Sequence, residues 1–201
     1  MQLIQLIIDG VASGCIYGLV ALGFVLIYKA TETINFAQGD ILMLGAFVAF
    51  SLIGVLGMNY IVGFILTVMI IAVFGFFLDA VVVRQIIGQP AFATVMLTIG
   101  LGFIFRGFAS IYWGTDIFSF STPFSGKITE VGGLIISYVN ISIIVGTTLL
   151  MGILFAFFSF TKIGVAMRAS SENQLAAYYM GIPVKFIFSL IWSISAGVAA
   201  I

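Results

Sequence analysis

The polar groups able to do chemistry are few, and most of them gather in one stretch. Between two apolar runs stands Thr33-Ile34-Asn35-Phe36-Ala37-Gln38-Gly39-Asp40, which brings two amides and a carboxylate together at a helix boundary. Such groups serve one of two ends. Asn35 can cap a helix that starts here, with Gln38 three residues on closing a contact like a capping box. Alternatively, polar groups at membrane depth line a cavity. Two further charges fall inside apolar runs, Asp9 and Arg106. Each stands within about two helical turns of the same end of its run; long side chains there commonly snorkel separately to the headgroups, and the common depth also permits an ion pair between the two. Asp79, five residues before Arg84, reads as part of a polar collar at an interface.

Several chemistries are excluded. The chain has no His, and its single Cys15 lies in an apolar stretch, so an internal disulfide, a zinc site, a Ser-His-Asp triad and a His-ligated haem are all out of reach. No Gly-x4-Gly-Lys-Ser/Thr loop is present to cradle phosphates. The carboxylates are dispersed, which argues against paired acid–base or metal chemistry at depth. The expectation is a chain that binds no metal or cofactor of its own. Seven basic and seven acidic residues cancel, and no basic run tracks a nucleic-acid backbone.

The elements that must position these groups follow from composition. With 63% hydrophobic residues against 7% charged in 201 residues, too little polar surface exists to cover a water-soluble globule, so lipid is the solvent. A hydrocarbon core of about 30 Å takes about 20 helical residues. Apolar runs of that kind cover 3–28, 41–56, 61–83, 91–113 and 139–160, and another begins at Phe186 and is still apolar at Ile201. The expected fold is an all-α integral membrane protein: a polytopic helical bundle of five spans plus the start of a sixth, one transmembrane domain over 1–201, truncated at its C-terminus. Continuous Gly-containing runs do not show the strict alternation of barrel strands. Ala12-Ser13-Gly14-Cys15 superficially resembles a lipoprotein processing site, but no basic region precedes it and the apolar run continues to Tyr28. Lys29, Arg84, Lys162, Arg168 and Lys185 fall on one side of the alternating loops and only Lys127 on the other. The positive-inside rule then puts 29–40, 79–90 and 161–185 in the cytoplasm and the N-terminus outside.

Three other patterns bear on function. Gly10, Gly14 and Gly18 recur at i, i+4 and i+8, giving either a small-residue packing seam or a translocation-path helix that slides. In the outer loop, 127–131 and 134–138 alternate about Gly132-Gly133, which predicts a β-hairpin. In the loop 161–185, residues 165–180 are good helix formers, Gly181 is placed to end the helix and Pro183 to prevent its resumption. That helix, small on one side through Ala176 and Ala177, suits either a groove in a soluble partner or a solvated linker.

With these residues in place, the chain resembles the permease subunits of ATP-driven importers for branched-chain amino acids. The likeness runs through Gly14-Cys15-Ile16-Tyr17-Gly18-Leu19, Ala21-Leu22-Gly23, Asn35-Phe36-Ala37-Gln38-Gly39-Asp40, Gly45-Ala46-Phe47, Thr98-Ile99-Gly100-Leu101, Trp113-Gly114-Thr115-Asp116, and Gly164 with Met167-Arg168-Ala169 and Glu172-Asn173. The resemblance implies a transport subunit of a bacterial or archaeal plasma (inner) membrane, without catalysis of its own. It implies three kinds of partner besides lipid: a homologous second permease subunit, two ATPase subunits that hydrolyse the ATP, and an external or periplasmic substrate-binding protein. It also implies alternating access, a substrate pathway near Asn35, Phe36, Ala37, Gln38, Gly39, Asp40, Gly14 and Gly18, and an ATPase-coupling helix carrying Gly164, Arg168, Glu172, Ala176, Ala177 and Gly181. The wider importer pattern has Glu-Ala-Ala, three residues, then Gly; here Leu175 stands where the Glu would be. Competing readings are an ion-coupled secondary carrier using Asp9 or Asp40, and a related permease for urea or short amides.

Overall fold

The computed structural model describes every residue except Met1, Thr33, Ile87, Gly88, 119–121, Gly132 and Gly133. The regular secondary structure of the described residues is helical apart from one small hairpin, and five helical segments are long and apolar enough to cross a membrane. α1 (Gln2–Thr31) runs 30 residues. α2 (Gln38–Ala49) continues into a π-helical turn, Phe50–Val55, so the second span is only 18 residues. α3 (Tyr60–Val81), α4 (Ala91–Tyr112) and α5 (Tyr138–Phe160) are full spans. The sixth apolar run forms α8 (Val184–Ala199).

Local chemistry sets the boundaries. Asn59, Ser137 and Thr161 each accept a hydrogen bond from a backbone N–H in the first turn of α3, α5 and α6 (Lys162–Glu172), at 3.0, 3.3 and 3.0 Å. Gly57, at φ +62°, makes the turn between the second and third spans. The hairpin forms as the alternation predicts: β1 (Ile128–Val131) and β2 (Leu134–Ser137) pair antiparallel, with Val131 opposite Leu134. The expected turn at Gly132-Gly133 lies outside the described residues.

The loop expected to hold one helix over 165–180 holds two. α6 ends at Glu172, and α7 (Gln174–Tyr179) starts anew because the Asn173 side chain accepts from Ala176 N at 2.9 Å. Asn competes with the helical backbone in this way, so the cap replaces continuation. Gly181 then adopts φ +83° and stops α7 as expected.

α8 is the hub of the bundle. Ile187, Phe188, Ile191, Trp192, Ala196, Val198 and Ala199 are buried against α1, α2, α3 and α6. Close approach of α3 to α8 requires Gly75, where a Cβ would overlap the Trp192 carbonyl and the Ala196 methyl. The expected seam of Gly10, Gly14 and Gly18 is different: these three are exposed, and a Cβ on any of them would meet nothing within 4 Å. The outer faces carry large apolar side chains, such as Leu149, Ile153 and Phe155 on α5, as helices bathed in lipid require.

A basic end of the bundle collects the end of α1, the end of α3, the start of α4, the end of α5 with α6 and α7, and the start of α8. There Asp79 is fully buried; it is an inter-helix tie rather than a collar residue. Ser189 donates to its Oδ2 at 2.6 Å and Arg84 Nη2 lies at 3.4 Å, while Arg84 also donates to the Lys185 carbonyl at 2.9 Å and to Ser189 Oγ. The end of α3 is thereby fastened to the start of α8.

Candidate functional site

The second span does not begin where the first ends. α1 stops at Thr31, and the chain then turns back into the bundle, so that Gln38, the first residue of α2, meets Gly23 of α1. Thr31 is eight residues past Gly23 in α1, which at about 1.5 Å per residue puts the start of α2 about 12 Å inside the helix ends. The same depth follows from α4, where the Thr98 hydroxyl, seven residues past Ala91, accepts from Phe36 N at 3.3 Å. The second span is therefore a broken helix, with its N-terminal amides and their partial positive charge opening within the bundle.

Residues 34–40 are held by a buried polar network. The Asn35 side-chain Oδ1 accepts from Ala37 N at 3.0 Å, and its Nδ2 donates to Gln38 Oε1 at 3.2 Å. Gln38 Nε2 donates to the Ser195 carbonyl at 3.3 Å. The Ser195 hydroxyl donates to the Gly23 carbonyl at 2.6 Å and lies 3.2 Å from Gln38 Oε1. Asn35, Gln38, Thr98 and Ser195 are all buried. Asn35 does not act as the N-cap: Ala37 holds that position, and no side chain caps the helix. Its bond to Ala37 N instead makes a local turn that feeds the chain into α2.

Asp40 lies two residues past Gln38 and is buried. Its partner is Arg106, with Nε at 2.6 Å from Oδ1 and Nη2 at 3.4 Å from Oδ2. The absence of a side chain at Gly102 admits the carboxylate, since a Cβ there would overlap Oδ2. Neither the permitted Asp9–Arg106 pair nor separate snorkelling of Arg106 is what forms. A helical side chain leans toward the N-terminus of its helix, which carries the guanidinium of Arg106 back toward the middle of α4, away from the end where Asp9 stands. Asp9 is exposed and instead accepts from Asn140 of α5. At the far end of α2 the π-turn is matched to α4 by Trp113, whose Nε1 donates to Ser51 Oγ at 2.7 Å and whose ring stacks on Phe47 at 5.0 Å.

The structure brings Asn35, Ala37, Gln38 and Asp40 together, buried, and leaves Phe36 and Gly39 exposed beside them. Gly14 and Gly18 are not among these groups. Thr98, Ser195, Gly23 and Gly102 complete the site and were not singled out for it by sequence; a hydroxyl or a glycine in an apolar run gives no sign of what faces it. A separate apolar cavity of about 810 Å³ lies between α1, α2, α3, α5 and the end of α8, lined by Leu19, Leu42, Phe64, Ile141 and Thr147 among others.

On the connecting helices, Gly164 is buried at the α5–α6 corner, where a Cβ would overlap the Phe157 carbonyl, and Ala177 is buried too. Arg168, Glu172, Ala176 and Gly181 are exposed. Leu175, Tyr178, Tyr179 and Met180 stand exposed around Ala176 and form an apolar projection at the basic end.

A family model described as "Branched-chain amino acid transport system / permease component" matches residues 6–201. The chain is similar to the high-affinity branched-chain amino acid transport system permease protein BraD of Pseudomonas aeruginosa, at 26% identity over 98% of this chain and 68% of that protein. It is similar to the permease protein LivH of the corresponding Escherichia coli K12 system, at 26% identity over 100% of this chain and 69% of that one. The probable LivH of Methanocaldococcus jannaschii is 27% identical over 91% of this chain and 59% of its own length. No solved structure gives a significant match.

Proposed function

Because the chain belongs to the permease components of branched-chain amino acid transport systems, we propose that it is the non-catalytic membrane subunit of an ATP-driven importer. An external binding protein delivers a branched-chain or related amino acid to it. A homologous second permease completes the path, and two ATPase subunits at the basic end drive alternating access. In this reading the basic end is cytoplasmic and the N-terminus faces outward across a bacterial or archaeal plasma membrane.

The observation that carries the reading is the broken second span. A helix whose N-terminus opens inside a membrane bundle, beside buried amides and a paired carboxylate, is what a polar solute needs where the surrounding solvent is lipid. An ion-coupled carrier would need a carboxylate free to take up and release a cation. Asp40 is already neutralised by Arg106, and Asp9 is bonded to Asn140 near the opposite end. Energy from an ATPase suits such a chain, and the exposed projection of Leu175, Tyr178, Tyr179 and Met180 supplies an apolar docking surface for one.

The test is uptake by the full importer in proteoliposomes. Leucine, isoleucine and valine should accumulate when ATP is enclosed and the binding protein is outside, and collapsing the ion gradients should leave the rate unchanged. Uptake abolished by ionophores, or urea carried in preference to leucine, would overturn the assignment.

A further inference from the structure

The ion pair between Asp40 and Arg106 is placed where lipid cannot cover it. Gly102, which faces Asp40, is at the midpoint of the 22-residue α4, so the carboxylate and the guanidinium bound to it sit about half-way through the span. The Asp40 side chain is 8% exposed, but that of Arg106 is 63% exposed on the outer surface of this chain. A long cation near a helix end ordinarily snorkels to the nearer interface. Arg106 instead turns back along α4 to Asp40, over the exposed ring of Phe103 at 5.9 Å. A guanidinium at that depth faces protein or a water-filled path, not acyl chains.

The geometry also leaves the arginine half used. Asp40 occupies the edge formed by Nε and Nη2. The opposite edge, Nη1 with the second hydrogen of Nη2, has no acceptor among the described residues, and a planar pair of N–H groups matches a carboxylate bidentately. We infer that this free edge of Arg106 receives the α-carboxylate of the transported amino acid, with Asp40 holding the guanidinium in place as a positioning residue. The inference rests on the reading of the chain as an amino-acid permease.

A second copy of this chain could not supply that carboxylate. Of its seven acidic residues, only Asp40 stands well inside a span, and it is buried in its tie to Arg106; Asp79, in the last turn of α3 at the basic end, is buried in its tie to Ser189 and Arg84. Asp9, Glu32, Asp116, Glu130 and Glu172 fall near span ends or in the connections between them. A small molecule entering from water meets no such limit. The first turn of α2, which carries Asp40, adds a partial positive charge on the same side, and Phe103 offers apolar surface to a branched side chain. Because the Asp40–Arg106 pair is neutral as a unit, it favours a zwitterionic substrate over an anionic one.

The experiment uses the complete importer in proteoliposomes, with wild type, Arg106→Lys, Arg106→Gln and the double variant Asp40→Asn/Arg106→Gln. The double variant removes both charges and so leaves no unpaired carboxylate at depth. It should assemble with the second permease and the ATPases, while leucine uptake per assembled complex falls about tenfold to a hundredfold, the scale of losing a charge-assisted bond. Arg106→Lys should fall between, since an ammonium keeps the charge and loses the fork. In a second measurement independent of those variants, solid-state NMR of the wild-type complex with leucine labelled at its carboxyl carbon should show contact with guanidinium nitrogens of arginine, and the contact should vanish in Arg106→Lys. Uptake by the double variant equal to wild type would overturn the inference. So would a double variant that folds but no longer pairs with the second permease, because the edge would then belong to a subunit contact. A wild-type importer that takes up no leucine on ATP would instead overturn the transport reading beneath it.

Discussion

Replacing Gly23 by Ala should damage the protein, whereas the same change at Gly14, in the same helix, should not. At Gly23 the new methyl would overlap Gln38 Nε2 and lie 3.1 and 3.2 Å from the hydroxyl and carbonyl oxygens of Ser195. The amide cannot retreat without giving up its bond to Ser195, because Gln38 and Ser195 are both buried. Overpacking of this kind costs about 1–3 kcal/mol, and stranding a buried polar group costs about 1–3 kcal/mol more. The gain in helix propensity returns about 0.8–1 kcal/mol. The net loss is then about 1–5 kcal/mol, centred on about 3 kcal/mol, which is a fall of about 150-fold in the folded population ratio. At Gly14 nothing lies within 4 Å, so only the propensity gain remains. Unfolding in mixed micelles titrated with a denaturing detergent measures both. Equal behaviour of Gly23→Ala and Gly14→Ala would refute the contact between α1, the start of α2 and α8 on which the site is built.

Two ties between helices and one exposed surface give three more outcomes. Arg84→Gln removes the charged partner of a fully buried Asp79 and should destabilise the bundle by about 3 kcal/mol in the same titration, whereas Lys162→Gln, on an exposed side chain with no salt bridge among the described residues, should change little. Trp113→Phe keeps the ring against Phe47 but deletes the bond to Ser51, so a loss of about 1 kcal/mol is expected; no loss would mean that the π-turn is not held from α4. Tyr179→Asp should weaken ATPase association measured by co-purification while leaving the unfolding midpoint of the isolated permease unchanged, since the side chain is exposed.

The spans were legible because lipid selects for uninterrupted apolar runs, and each run of the required length became a helix. What ended or broke those helices was harder to read, because polar side chains decide it by where they point. The apolar run of the second span starts at Ile41, which left Asp40 in a connection; in the bundle Asp40 is inside α2, since neutralisation by Arg106 removes the penalty that a run-based reading assigns to its charge. Arg106 was matched to Asp9 by distance from the run ends, a measure blind to the way a helical side chain leans along its axis. Asn173 fits a helical pattern as one poor former among good ones, yet its side chain caps a new helix. Regular spacing drew attention to Gly10, Gly14 and Gly18, whereas the glycines that admit a neighbour, Gly23, Gly75 and Gly102, follow no repeat and are set by what crosses them.

In the proposed transport cycle the broken start of the second span borders a water-filled route for the substrate, and Gly39 is the residue that reports on it. Gly39 is exposed between the buried Gln38 and Asp40, and a Cβ there meets nothing within 4 Å, so a cysteine fits without strain. In a Cys15→Ala background, Gly39→Cys in the assembled importer should react with a small hydrophilic thiol reagent, and saturating leucine should slow the reaction. A thiol that such reagents never reach from either side, or one whose labelling is indifferent to leucine while uptake is intact, would contradict the account.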